Sequence, residues 1–139
     1  MSKRLFLCLI VLGTLFFAGC NGNQPVKGTV RFSDDQSPLT AGDVRFESDA
    51  FSARGKINPD GTFQIGSLQS GDGVPLGTYK VFISGATAES GENEMGAVYL
   101  PLIEEKFTRK DMTPLTITVD RTTKKFDIEV TRAPSPKSK

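Results

Sequence analysis

A chain of 139 residues with 17 basic and 16 acidic side chains, a net charge of +1 and no histidine lacks the basic excess that marks nucleic-acid binders. Without imidazole it supplies neither a Ser-His-Asp nor a Cys-His nucleophile, nor a histidine-ligated zinc. Its length suits one domain, large enough to bury about two-thirds of its unfolded surface.

Lys3 and Arg4 precede an apolar run of fourteen residues, 5–18, the charged and hydrophobic regions of an export signal. A membrane-spanning helix needs roughly 17–25 apolar residues, so the run is short for an anchor. The stretch "FFAGC" ends at Cys20 with Gly19 and Ala18 before it but Phe17 at the third position, where an ordinary cleavage site wants a small residue. It resembles a bacterial lipobox, whose cysteine takes a diacylglycerol before the signal is cut away. An uncleaved anchor and a conventional signal peptide are the alternatives. On the lipobox reading, residues 1–19 are a cleaved lipoprotein signal peptide and Cys20 is the lipidation site. Cys8 is then discarded, so no intrachain disulfide forms. Losing Lys3 and Arg4 from the 17 basic residues leaves 15 against 16 acidic ones in a mature chain of 120 residues. Several acyl chains on one cysteine anchor stably where one chain does not. The membrane is thus a partner through the lipid, and Asn21, where Asp favours inner-membrane retention, points to the outer membrane of the cell envelope.

Residues 20–25 read as a short lipidated tether, "NGNQP" being small and polar. Alternation of period two then begins. In "VKGTVRF" Val26, Gly28, Val30 and Phe32 share one face. "DVRFES" turns Val44 and Phe46 inward, and "FSARGKI" turns Phe51, Ala53 and Ile57. "NPDG" at 58–61 has the residues of a type I turn closed by glycine, predicting a hairpin between "SARGKI" and "TFQI". "TYKVFIS" turns Tyr79, Val81 and Ile83 inward, "LTITVD" Leu115, Ile117 and Val119, and "KFDIEV" Phe126, Ile128 and Val130. The last two are predicted as a hairpin over "DRTT". Between them and the strand at 78–84 lies a long connection, 85–112. Its first half, "GATAESGENEMG", reads as mobile, and its second half holds a short helical turn anchored by Phe107. Residues 133–139, "APSPKSK", read as a disordered tail.

Seven strands with one apolar face each, and no helix to cover them, predict an all-β, seven-stranded antiparallel β-sandwich over residues 26–132. The strings "PLTAGDVRFES", "GKINPDGTFQIGSLQSGDGVPLGTYKVFISG" and "LPLIEEKFTRKDMTPLTITV" resemble the planctomycete-type carboxypeptidase regulatory-like, or transthyretin-like, domain lipoproteins. The marks are Asp60 and Gly61, then Pro75, Gly77 and Tyr79, then "TPLT" at 113–116. The resemblance covers residues 26–130. It implies a prealbumin-like sandwich, export and lipid anchoring, and it implies no activity and no catalytic residues.

Other constellations read as structural. Glu104 with Glu105, or Glu92 with Glu94, are carboxylate pairs of the kind glycosidases use, yet they lie in or beside the long connection and there is no tryptophan platform. Asp34, Asp35 and Asp43 match no calcium-loop spacing. "GDGVPLG" opens no helix and so is no phosphate loop, and Lys27 faces outward with no asparagine on the last strand to form an isopeptide bond. No cofactor, metal or catalytic residue is assigned. The reading is a non-enzymatic, lipid-anchored interaction or structural module, with 85–112 and a strand edge as contact surfaces towards an envelope protein or glycan. The alternative is a small-molecule or polysaccharide binding module, for which Phe82 is the outward aromatic.

Overall fold

The computed structural model describes residues 22–136. The signal segment, Cys20, Asn21 and the last three residues of the tail lie outside the described residues. Within them run nine strands: β1 Lys27–Phe32, β2 Asp43–Glu47, β3 Ser52–Lys56, β4 Thr62–Gln64, β5 Gly77–Ser84, β6 Thr87–Asn93, β7 Gly96–Pro101, β8 Thr116–Val119 and β9 Ile128–Val130, with a 3-10 turn at Glu105–Phe107. Seven of them make two sheets, ordered β4-β1-β9 and β3-β2-β5-β8, and β6 and β7 pair only with each other.

Alternation decides which faces meet. Val26 just before β1, Val30 and Phe32 on it, and Val44, Phe46, Tyr79, Val81 and Ile83 from the other sheet are all buried, as are Ile117, Val119, Ile128 and Val130. Burying each such side chain stabilises the fold by about 1.5–3 kcal/mol. Leu39, Val74, Ala86 and Ile103 close the core from the connections, and Phe107 is buried on the 3-10 turn as predicted. Phe51, Leu115 and Phe126, read as inward, are only partly buried and pack on the core margin. The Tyr79 ring lies 6.0 Å from Phe46 and 6.4 Å from Phe51, while its hydroxyl donates to the Pro75 carbonyl at 2.7 Å. That bond satisfies the one polar atom a buried tyrosine carries.

Three expectations are corrected. "DRTT" forms a turn, with the Asp120 carboxylate accepting the Thr122 and Thr123 amides at 2.7 and 3.0 Å, but the strands beside it do not pair with each other. β8 pairs antiparallel with β5, and the chain then crosses to run parallel to β1 as β9. The "NPDG" turn also forms, with the Gly61 amide donating to Asn58 at 2.8 Å and Gly61 at φ 84°. It joins β3 of one sheet to β4 of the other, so it closes a sandwich edge, and the two arms share the Asn58 amide to Thr62 carbonyl bond at 2.9 Å and the isolated antiparallel bridge Arg54↔Gly66 in place of a continuous ladder. Lastly, residues 87–93 and 96–101 are strands rather than a mobile loop.

Strand direction gives the sandwich two distinct ends. Gln24 bridges Val74, Lys27 pairs with Gln64, and Gly77 pairs with Val119. The incoming chain, the 65–76 connection and the 120–126 crossover therefore share one end. β5 carries the chain eight residues away from it, about 25 Å at strand rise, to Ser84, which pairs with Asp43. The β6–β7 hairpin leaves from that far end.

Candidate functional site: an exposed hairpin at the far end

All seven residues of β6 are exposed, and β7 has only Val98 and Leu100 partly covered. The pairing runs from Thr87↔Pro101 to Asn93↔Gly96, with Ser90 left over as a bulge between Glu89 and Gly91. Asn93 Oδ1 accepts the Met95 amide at 2.9 Å and Gly96 has φ 118°, which together turn the chain through Glu94 and Met95. At the base, the Leu102 amide donates to Ala86 at 2.9 Å and fastens the hairpin to the buried Ala86 and Ile103.

A two-stranded ribbon is marginal by itself in water, and each strand of this one has a row of unpaired backbone groups on its outer edge, the groups that a further strand would take. Glu89, Glu92 and Glu94 are its only charged residues. Met95 is 97% and Tyr99 60% exposed. Sequence reading named Phe82 as the outward aromatic and missed Tyr99; Phe82 is half-buried on β5 opposite Arg45. The missed signal was the run "AVYLP" after a turn-compatible "NEMG".

Beside the hairpin base, Arg132 gathers the acidic residues weighed for calcium. Its Nε donates to Asp34 Oδ2 at 2.9 Å, and its Nη2 to Asp35 Oδ2 at 2.9 Å and Ser37 Oγ at 2.8 Å. The guanidinium carbon sits 3.7 Å from the centroid of Phe32. The Ser37 hydroxyl and amide, with Arg132 adding its charge, hold the Asp35 carboxyl down to about 2. Asp43 lies on β2, paired with Lys56 and Ser84, and does not join them. The cluster ties the 33–37 turn, where Gln36 adopts φ 61°, to Arg132, two residues past β9.

The other candidates stay apart. Glu104 pairs with Lys106 at 2.9 Å and Glu105 with Arg109 at 3.6 Å, while Glu92 and Glu94 are on the hairpin. "GDGVPLG" lies between β4 and β5, its Asp72 accepting backbone amides, and Lys27 is exposed. Among the described residues no group of three or more His, Cys, Asp or Glu is gathered closely enough to hold a metal ion. No helix there is long and apolar enough to cross a membrane.

No protein-family model matches the chain, and no curated protein matches it. Solved structures do. The chain is similar to two structures of the major pilin subunit BcpA of Bacillus cereus. One, a variant, superposes at TM-score 0.51 with 11% identity over 81% of this chain and 30% of that one. The other gives 0.50 and 13% over 81% and 31%. What is shared is the fold. It is an all-β sandwich. A DUF3823 family protein from Bacteroides ovatus aligns at TM-score 0.43 and 19% identity over 79% of this chain and 45% of that one. The chain spans about a third of the length of the pilin structures it matches, and at such identities only architecture is carried across.

Proposed function

We propose that this chain is a non-enzymatic module of the cell envelope, lipid-anchored through Cys20, that presents its β6–β7 hairpin to a protein partner. The observation that carries the reading is the hairpin itself, fully exposed along β6, with two open edges and three glutamates, at the end of the sandwich opposite the incoming chain. Open edges recruit strands, and the negative charge selects a partner whose edge is basic while discouraging a second copy of this chain. The anchor reading is supported by the "FFAGC" stretch and by the resemblance to carboxypeptidase regulatory-like lipoproteins. A glycan-binding role would call for a platform of outward rings, whereas among the described residues Tyr99 is the sole large exposed aromatic.

In-cell crosslinking with mass spectrometry tests both parts. A photo-crosslinker at Tyr99 is expected to capture one dominant protein, and capture should disappear when Val98, the neighbour in the strand, becomes proline. Equal capture at Tyr99 and at a control position on β3 would sink the hairpin assignment. For the anchor, Cys20→Ala should leave an uncleaved precursor that takes up no labelled fatty acid; unchanged processing and labelling removes the lipid from the account.

A further inference from the structure

The end at which the chain enters carries features that neither core nor hairpin uses. Leu68 is 93% exposed and Leu76 47%, both on the 65–76 connection. Leu68 is not on a loose tip: one carboxylate, Asp72, accepts the amides of Ser67 at 2.7 Å, Leu68 at 3.1 Å and Gln69 at 3.2 Å. The turn is fastened, and the leucine on it is held outward in solvent. Such a side chain forgoes the burial that a leucine ordinarily finds.

Gly71, on the same connection, lines a groove of about 380 Å³ together with Pro25, Lys27, Gln64 and Lys124. The Lys27 amide donates to the Lys124 carbonyl at 3.1 Å, which keeps the two lysines side by side. Of the carboxylates at this end, Asp49 on the turn after β2 is exposed, and three others are already engaged. Asp127 pairs with Lys125 at 3.1 Å, and Asp72 and Asp120 are turned back onto backbone amides. Exposed leucines beside lysines are the composition of a surface that lies in a lipid interface, apolar tips towards the acyl chains and ammonium groups at the phosphates. Geometry favours the same occupant. Gln24 is bonded to Val74, and the four residues back to Cys20 reach at most about 14 Å when extended.

We infer that this end of the sandwich seats on an anionic phospholipid surface, with Leu68 and Leu76 at the acyl boundary and Lys27 and Lys124 on the headgroup phosphates. The tether length rests on the lipid-anchor reading; the surface itself is built from described residues. Seating directs the hairpin away from the membrane, towards whatever it meets.

The test uses the processed full chain, spin-labelled at Ser70→Cys beside Leu68 or at Glu94→Cys on the hairpin tip, on vesicles of phosphatidylglycerol and phosphatidylcholine. Collision with oxygen, which concentrates in lipid, and with a water-soluble nickel complex reports where each label sits. The Ser70 label is expected to favour oxygen and the Glu94 label nickel, with the difference falling severalfold in Lys27→Glu/Lys124→Glu, in Leu68→Ser and on phosphatidylcholine alone. A Ser70 label as open to nickel as the Glu94 label, on protein that floats with the vesicles, overturns the seat. Failure to float overturns it as well, and a Ser70 label shielded from both reagents does so by placing a protein or a second copy there. Mass spectrometry of the N-terminal peptide separates the two readings: an unacylated Cys20 with the Ser70 label in lipid refutes the anchor and supports the seat.

Discussion

Arg132 lies over the ring of Phe32, 3.7 Å from its centroid, and binds Asp34 and Asp35 with the same guanidinium. One residue just past β9 thereby closes the turn after β1, its partner in the parallel pair. Lysine cannot replace it, because a point charge does not serve a ring face and two carboxylates at once. Arg132→Lys is expected to lower Tm by a few degrees and Arg132→Ala by more, read by thermal unfolding; equal Tm for all three would mean that the cluster is ornamental.

Acid should expose the same cluster. Asp35 has a folded-state value of about 2 against 3.8 for the ordinary group, so its contribution is fully present above about pH 4 and is lost as pH falls towards 2. Asp60, Asp72 and Asp120 are lowered in the same direction by turn hydroxyls and amides. The Tm gap between the natural chain and Asp35→Asn should therefore be constant above pH 4 and shrink below it. A gap that stays level from pH 5 to pH 2 contradicts this assignment.

Tyr79→Phe keeps the ring among Phe46 and Phe51 and removes only the hydroxyl that serves Pro75. The expected loss is about 1–2 kcal/mol, a hydrogen bond together with a carbonyl left short of a partner, measured by urea unfolding with unchanged m-value. No loss would show that water replaces the hydroxyl.

Gly28 lets β1 pass the chain before β9 closely. A Cβ there would meet the Phe126 carbonyl oxygen and the Phe63 ring, so Gly28→Ala should destabilise by about 1–3 kcal/mol through forced displacement. The control is Thr29→Ala, on the other face, which should cost less in the same measurement.

Excising residues 88–100 and joining Thr87 to Pro101 through a two-residue turn should leave Tm nearly unchanged, because the hairpin buries little. The same variant should lose whatever the Tyr99 crosslinker captures. A collapse of Tm would make the hairpin part of the sandwich's stability rather than a projection from it.

Much of this architecture is legible in the alternation of side chains. Val30 against Arg31, Val44 against Arg45 and Val81 against Lys80 fix which face of each strand is buried, since a pleated strand sends neighbouring residues to opposite sides. The turns at 58–61 and 120–123 are likewise local chemistry, an aspartate accepting amides two or three residues on and, at 61, a glycine at positive φ. The absence of histidine settled what catalytic sites could not be built. Tertiary structure alone decided the partners. Alternation says nothing about which strand lies alongside, so the turn at 120–123 looked like a hairpin although it hands the chain to the other sheet. Arg132 meets Asp35 across 97 residues of sequence, a contact set by the parallel pairing of β9 with β1 and not by any local pattern. The hairpin at the far end was hidden for a related reason: β6 is exposed on both faces, so no burial imposes an apolar alternation on it that a reader of the sequence could see.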